Sequence, residues 1–241
     1  MTKFHSICTS VCATLALTFC LSTIGHAATI TFGTNGGEKL ENGLPINGQA
    51  TLVTSKNLVT ITIRNLQPGI TSLDQNITGL AFVLSNGNTS QNLVSSAGIS
   101  RDVLANKTFV DGPLVSSGWQ ISVWDGTMFL ETVDSEVDPS HTIIGPATGL
   151  TYPKADSSIA GNAASNAFLA GPVTFNIKVK GIDENTTVSS AIFDFGVCGT
   201  NVSLCQTTPV PEPGTLVLAV MATGGVATIG FRRRRRGNGA R

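Results

Sequence analysis

The sequence has few of the side chains that usually mark an active site. Of its 241 residues, 12% are charged and 6% are aromatic, and three are histidines. Beyond the first 27 residues the remaining histidine is His141, in the polar, turn-like run Asp138-Pro139-Ser140-His141-Thr142. No GxSxG elbow occurs, so a Ser-His-Asp site has no support. We predict that His141 is a surface loop residue and that the protein is not an enzyme, with no catalytic residue, metal or cofactor.

Positive charge is also scarce in the middle of the chain. The formal net charge of the whole chain is zero, but this value averages unlike parts. Between Ala28 and Thr208 there are eight lysines and arginines against fourteen acidic residues, a net charge of about −6. Nucleic-acid-binding domains carry a basic patch or stripe, so this composition predicts no nucleic-acid partner.

The first 27 residues have the three parts of a secretory signal peptide. Lys3 supplies a positive charge, the apolar stretch lies within 7–24, and Gly25-His26-Ala27 places small residues where cleavage would occur. The sequence therefore predicts export and a mature start at Ala28. Two alternatives stay open, an N-terminal transmembrane helix and a lipoprotein signal that ends at Cys20.

Cysteine is nearly absent from the exported part. Three of the five cysteines lie in the predicted signal peptide, which leaves Cys198 and Cys205. An even pair in an oxidising compartment predicts a disulfide that closes a small loop. A metal pair or a nucleophile would be the functional alternative, but there is no CxxC spacing to support either.

Residues 28–208 are long enough for one domain with a hydrophobic core, and their pattern is that of β-strands. Apolar and polar residues alternate at 29–32, 59–64 and 173–180, and Phe193, Phe195 and Val197 continue the series. Asp125-Gly126 between two such runs is a strong hairpin signal. It predicts that Ile121 lies opposite Leu130 and Val123 opposite Met128. We expect an all-β, antiparallel β-sandwich.

Two intervals fit the strand pattern less well. Ser90 to Ala105 has roughly helical spacing of its apolar residues, interrupted by Gly98, which predicts a loop or a short helix. Asp156 to Ala170 is alanine-rich, begins with a possible helix cap at Asp156 or Ser157 and ends at Gly171-Pro172. It predicts either a short helix or a loop broken by glycine.

Acidic side chains are densest at Glu131, Asp134, Glu136 and Asp138. Calcium takes oxygen ligands of this kind, but no EF-hand pattern is present, and a solvated acidic edge that discourages strand pairing is the favoured interpretation of the cluster. Carboxylate pairs for glycoside hydrolysis stay open, because the two partners can be distant in sequence. Trp124 is either a rim aromatic of a polysaccharide site or a packing residue, and packing is the favoured interpretation.

The C-terminus contains three ordered parts. Pro211-Glu212-Pro213 holds one carboxylate in an extended, exposed segment, because proline blocks helix and sheet pairing. The uncharged run 214–231 follows, about 27 Å long as a helix and just able to span a bilayer core of about 30 Å. Arg232, Arg233, Arg234, Arg235 and Arg236 would then stay on the cytoplasmic side. Anchoring explains the last two parts but gives Pro211, Glu212 and Pro213 no role.

This tail resembles the PEP-CTERM sorting signal of Gram-negative bacteria, over 209–236. The resemblance implies a recognition motif at 210–214, a transmembrane helix at 214–231, an arginine cluster at 232–236 and a short cytoplasmic tail at 237–241. It also implies processing by an exosortase-type transpeptidase, with a transient stay in the inner membrane and a destination at the cell surface or in the exopolysaccharide matrix. The same tail is also described as the C-terminal domain of an ice-binding protein, which concerns the tail alone. The alternatives are a permanently anchored adhesin or polysaccharide-binding module, and a hydrolase of matrix polysaccharide.

Overall fold

A computed structural model describes residues 27–34, 37–132 and 139–196, together with the backbone of a two-residue strand at 205–206. This part of the chain is all-β, as predicted, with a single 3-10 turn at Leu73–Gln75. The strands are β1 Ala28–Gly33, β2 Gly48–Ser55, β3 Leu58–Asn65, β4 Ile77–Leu84, β5 Gln91–Val103, β6 Phe109–Val115, β7 Gln120–Trp124, β8 Thr127–Glu131, β9 Ile143–Ile144, β10 Phe168–Val179, β11 Val188–Phe195 and β12 Cys205–Gln206.

The strands form one hydrogen-bonded network with two halves. The first half has the order β1-β2-β3-β10-β5-β6, and the second has the order β7-β8-β4-β11-β12. The short strand β9 connects them, since it pairs in parallel with Leu169 and Ala170 of β10 and in antiparallel fashion with Ile77 of β4. All other strand pairs are antiparallel.

Both halves place side chains in one hydrophobic core. Val59, Ile61 and Ile63 of β3 are fully buried and alternate with polar residues, as the sequence pattern predicts. The same core contains Phe82 of the second half, and the ring of Trp119 lies 5.0 Å from that of Phe175 in β10. A smaller cluster forms beside it, built from Ile70, Leu73, Val103, Ile144, Tyr152, Ala155, Ile159 and Phe168.

The predicted hairpin is confirmed in its register. Ile121 pairs with Leu130 and Val123 with Met128. Asp125 and Gly126 both have positive φ, 47° and 77°, as a two-residue turn with the twist of its strands requires.

The prediction of a loop or short helix at 90–105 is wrong. Most of this interval is β5, which pairs with β10 on one side and β6 on the other. The pairing register with β10 shifts twice: residues 171–173 of β10 lie opposite the single residue Gly98, and Val94 of β5 is an extra residue between the paired Leu93 and Ser95. The extra residue Val94 changes the face on which the neighbouring side chains of β5 lie, so β5 does not show the strict period of two that marks a strand.

The second uncertain interval divides between a loop and a strand. Residues 156–166 form successive turns, the first held by the hydrogen bond from the Ser158 amide to the Asp156 carboxylate, and β10 begins at Phe168. No described helix is long and apolar enough to cross a membrane. The predicted transmembrane helix at 214–231 lies outside the described residues.

Candidate functional site

Several predicted site residues fall outside the described part of the chain. These are Pro211, Glu212 and Pro213 of the sorting motif, the arginines 232–236, Cys198, and the acidic residues Asp134, Glu136 and Asp138. For Cys205 only the backbone is described, and it pairs with Phe193 of β11. The disulfide stays a prediction. His141 lies in a loop and is half-buried, with its carbonyl accepting a hydrogen bond from the Trp119 indole at 2.9 Å.

Two carboxylates come together on the outer face of the second half. Gly79 of β4 pairs with Asp194 on one side and with Glu131 of β8 on the other. Directly paired residues share a sheet face, so the three lie in one row away from the core residues Leu130 and Phe193. Adjacent strands are about 4.8 Å apart, which puts the two acidic residues within reach of each other across Gly79.

Gly79 makes room for the Asp194 side chain. A Cβ at Gly79 would lie 2.8 Å from Oδ2 of Asp194, which is closer than such atoms approach. The carboxylate therefore leans over the glycine toward Glu131. Any side chain at residue 79 would push it away, so the glycine sets the spacing of the pair.

The environment raises the pKa of both groups. Burial raises the pKa of Asp194 to about 6, with a further contribution from the negative charge of Glu131. Burial also raises the pKa of Glu131, although a hydrogen bond from Ser122 acts in the opposite direction. Asp194 thus exchanges a proton at mildly acidic pH. While protonated it can serve as a proton donor, and once ionised it can bind a cation.

Buried oxygen atoms also lie on the residues flanking this row. Thr78 Oγ1 and Thr132 Oγ1, next in sequence to Gly79 and Glu131, have no hydrogen-bond partner among the residues that the structure describes, and the same holds for Asn76 Oδ1. The described residues contain no group of three or more His, Cys, Asp or Glu side chains suited to a metal. Calcium binding at 131–138 stays a hypothesis.

Trp124 lies on the same outer face, two rows away. It is 75% exposed, so the favoured interpretation of Trp124 as a packing residue is wrong. The reason is that β7 pairs only with β8 among the described strands, and its outer face is left uncovered by them. Phe129 and Ile192 lie between Trp124 and the carboxylate row and are half-buried.

A second polar site is built around Arg101 of β5. Its Nε donates to Asp111 Oδ1 at 2.6 Å and its Nη2 to Asp111 Oδ2 at 2.8 Å. Nη1 donates to the Tyr152 hydroxyl at 2.9 Å, and that hydroxyl donates to the Gly145 carbonyl at 2.8 Å. The guanidinium carbon also lies 3.9 Å from the centre of the Phe109 ring. Two hydrogen bonds to one carboxylate and a stacked ring fix the orientation of this cation.

These contacts determine the ionisation of the site. Burial alone would lower the pKa of Arg101, but hydrogen bonds to Asp111 and Tyr152 outweigh it, and the pKa lies above its ordinary value. The hydrogen bond from Arg101 lowers the pKa of Asp111. Burial raises the pKa of Tyr152 despite the nearby cation. At neutral pH the site therefore holds a paired cation and anion beside a neutral phenol.

Arg101 lines one wall of an open cavity of about 460 Å³. Arg64, at the end of β3, lines the same cavity, together with Leu66, Pro146 and Pro172. Neither arginine was predicted as a site residue. One signal was available: these two are the complete set of arginines between residues 28 and 208.

Comparison with known protein families identifies the C-terminal segment. Residues 209–236 match the family model of the PEP-CTERM protein-sorting motif. The chain carries a PEP-CTERM sorting motif. The matched range is the one that the sequence pattern indicates, with Pro211, Glu212 and Pro213 at its start and the five arginines at its end. The motif implies recognition by an exosortase, and with it export and membrane-associated processing.

The PEP-CTERM match leaves the described strands unassigned, since it begins at residue 209. No curated protein and no solved structure matches the chain. The two polar sites of the exported domain, the carboxylate row and the arginine cavity, therefore have to be interpreted from their own chemistry.

Proposed function

We propose that this chain is a non-enzymatic protein of the bacterial envelope or extracellular matrix. Its signal peptide directs secretion, its β-sandwich domain folds outside the cytoplasm, and an exosortase cleaves the chain at the PEP-CTERM motif and transfers it to the cell surface or its exopolysaccharide. The observation that carries the proposal is the match of residues 209–236 to the sorting motif.

The folded domain supports this proposal through its position relative to the motif. Gln206 of β12 is the last described residue, and Pro211 follows five residues later. A fully extended chain of that length reaches at most about 18 Å. An enzyme that reads Glu212 therefore works close to the surface of the folded domain, which limits how deeply its site can enclose the motif.

The test is the substitution Glu212→Gln, which removes the charge and keeps the size of the side chain. We expect it to block processing in the native host and to leave membrane insertion intact, because insertion depends on 214–236. Intact mass of the recovered protein gives the readout, with Glu41→Gln, an exposed acidic residue of the domain, as the matched control.

Two results would contradict the proposal. Normal processing of Glu212→Gln would show that the carboxylate is not read. A native protein whose mass includes 214–241 would show a permanently anchored protein, such as an adhesin, in place of a sorted one.

The carboxylate row favours a second candidate function, hydrolysis of a matrix polysaccharide. Glycosidases pair a carboxylic acid of raised pKa with an ionised carboxylate, and Asp194 and Glu131 could take these roles at mildly acidic pH. The purified protein would then release reducing sugar from a glycan panel near pH 5–6, and Asp194→Asn and Glu131→Gln would each abolish the release. Activity that survives both substitutions, or none on any glycan, rejects this candidate.

A further inference from the structure

The cavity beside β10 brings together the two arginines of residues 28–208, although they lie on different strands and 37 positions apart in sequence. Its volume of about 460 Å³ falls in the usual range for small-molecule sites, about 300–1,000 Å³. The domain as a whole is acidic, and Asp111 neutralises Arg101, so Arg64 is the charge that makes this cavity locally positive.

The cavity exists because β10 changes its neighbour at this point. Val173 of β10 pairs with Ile63 of β3, whereas Ala170 pairs with Ile144 of β9. Gly171 and Pro172 fall between the two and are also unpaired on the β5 side, where the register shifts. Proline has no N–H to donate, so it is tolerated within a strand at an interruption of the pairing such as this one. No atom lies within 4 Å of a Cβ at Gly171, which leaves the cavity open to solvent.

Arg101 is a fixed donor in this cavity. Three of its five N–H groups are taken by Asp111 and Tyr152, which leaves two N–H groups without a partner among the described residues. Its side chain is 14% exposed. Because the other contacts hold the guanidinium in place, a ligand that accepts from the two remaining N–H groups does not have to order it.

Arg64 is an unpaired cation. Its side chain is exposed and makes no hydrogen bond or ion pair with any described residue. The neighbouring Asn65 is buried and donates to the carbonyls of Gln75 and Ile143 at 2.8 and 3.0 Å, which fixes the backbone that carries Arg64. An arginine on a rigid strand end with all its donors free is suited to a planar anion that accepts two hydrogen bonds.

The other side chains that line the cavity are apolar, except for Asn65. Leu66, which is 38% exposed, lines the cavity together with Pro146 and Pro172. A ligand that fits must therefore combine an anionic group with a flat, partly apolar body. Sugar acids have this chemistry, because the C–H face of the ring can lie on apolar side chains while the ring carboxylate meets a guanidinium.

We propose that this cavity binds a carboxylate-bearing sugar ring of an acidic polysaccharide, with Arg64 as the main carboxylate ligand and Arg101 as a fixed second donor. This proposal rests on the proposed function, because it assumes that the exported protein encounters acidic polysaccharides in the matrix. It adds the site, the ligand class and the residues responsible.

The test measures binding of uronic-acid trimers to the full chain purified in detergent, by titration calorimetry at 50 mM salt. The probes are the trimers of galacturonate, glucuronate and mannuronate, each compared with its methyl ester, which keeps the ring and removes the charge. We expect at least one acid trimer to bind at least tenfold more tightly than its ester, and more weakly as salt is raised.

Substitution at Arg64 then identifies the site. Arg64→Gln should weaken binding at least tenfold, and Arg64→Lys should fall between Gln and the native residue, because lysine keeps the charge and loses the two-pronged geometry. Lys178→Gln, which removes an exposed cation of β10 away from the cavity, should change affinity less than twofold. Arg64 lacks structural partners, so its variants are expected to fold, and their unfolding curves check this.

Three results overturn the proposal: no trimer binds in preference to its ester, Arg64→Gln binds as the native protein does, or Lys178→Gln weakens binding as much as Arg64→Gln. Sorting is scored separately, through the intact mass of Arg64→Gln recovered from the native host. Binding without processing at 209–213 would reject the proposed function alone, and processing without binding would reject this site alone.

Discussion

The two polar sites of the exported domain differ in the partners of their charged groups. In the arginine cavity, Arg101 has a carboxylate, a hydroxyl and an aromatic ring as partners, and its pKa is raised by its hydrogen bonds. In the carboxylate row, Asp194 is brought toward another acid, and its pKa is raised to about 6 by burial and by Glu131. Partnering makes the first site rigid and insensitive to pH near neutrality, whereas burial beside a second acid brings the pKa of Asp194 into the mildly acidic range.

Removing the central cation should break the first site and produce the largest effect on stability. Arg101→Leu leaves the buried Tyr152 and the carboxylate of Asp111 without their donor, at a cost of about 2–3 kcal/mol in the free energy of unfolding. We discount larger values for buried ion pairs because Asp111 is 41% exposed. Urea unfolding at pH 7 measures the loss, and a change below 0.5 kcal/mol would show that the network is not structural.

Filling the space between the two acids should disturb the second site. Gly79→Ala places a methyl group against the Asp194 carboxylate, and overpacking of this kind costs about 1–3 kcal/mol. The same change in an Asp194→Ala background should cost about 1 kcal/mol less, because the clashing carboxylate is gone. Equal costs in both backgrounds would show that the glycine is required for another reason.

Replacing Asp194 by a neutral residue should remove the pH dependence that distinguishes the carboxylate row from the arginine cavity. Because the pKa of Asp194 is raised in the folded protein, the native state holds this proton more tightly than the unfolded state does. The protonated carboxyl group therefore contributes fully to stability below about pH 4, and this contribution is lost as pH rises through about 6. Asp194→Asn should abolish that decline and be about 1–2 kcal/mol more stable than the native protein at pH 7. Urea unfolding from pH 4 to pH 8 tests both statements, and an unchanged slope would contradict them.

Removing the unpaired cation should have the smallest effect. Arg64→Gln is expected to change the free energy of unfolding by less than about 0.5 kcal/mol, because the side chain is exposed and makes no contact that folding depends on. The contrast with Arg101→Leu separates a cation that supports the fold from one that is free for a ligand. A loss comparable to that of Arg101→Leu would mean that Arg64 has a structural role.

How much the sequence predicts depends on how local each feature is. The hairpin at Asp125-Gly126 and the strand at 173–179 follow from neighbouring residues, and both were predicted in the correct register or phase. β5 was missed because the extra residue Val94 disturbs its alternation. The PEP-CTERM motif is a short linear segment, so the sequence was enough to find it.

The two polar sites could not be predicted in this way. Glu131 and Asp194 are 63 residues apart and meet only because β8 and β11 both pair with β4. The acidic cluster drew attention to Glu131 for its neighbours in sequence, whereas Asp194, which meets it across Gly79, is on another strand. Arg64 and Arg101 likewise share a cavity only because β3 and β5 flank the same stretch of β10.

The strand β9 has a mechanical consequence. Its two residues, Ile143 and Ile144, are the hydrogen-bonded connection between the two halves of the network. The arginine cavity belongs mainly to the half that contains β3, β5 and β10, whereas the chain leaves for the sorting motif from β11 and β12, in the other half. A molecule tethered at its C-terminus and pulled through a ligand in the cavity would carry the load across β9 and the shared core.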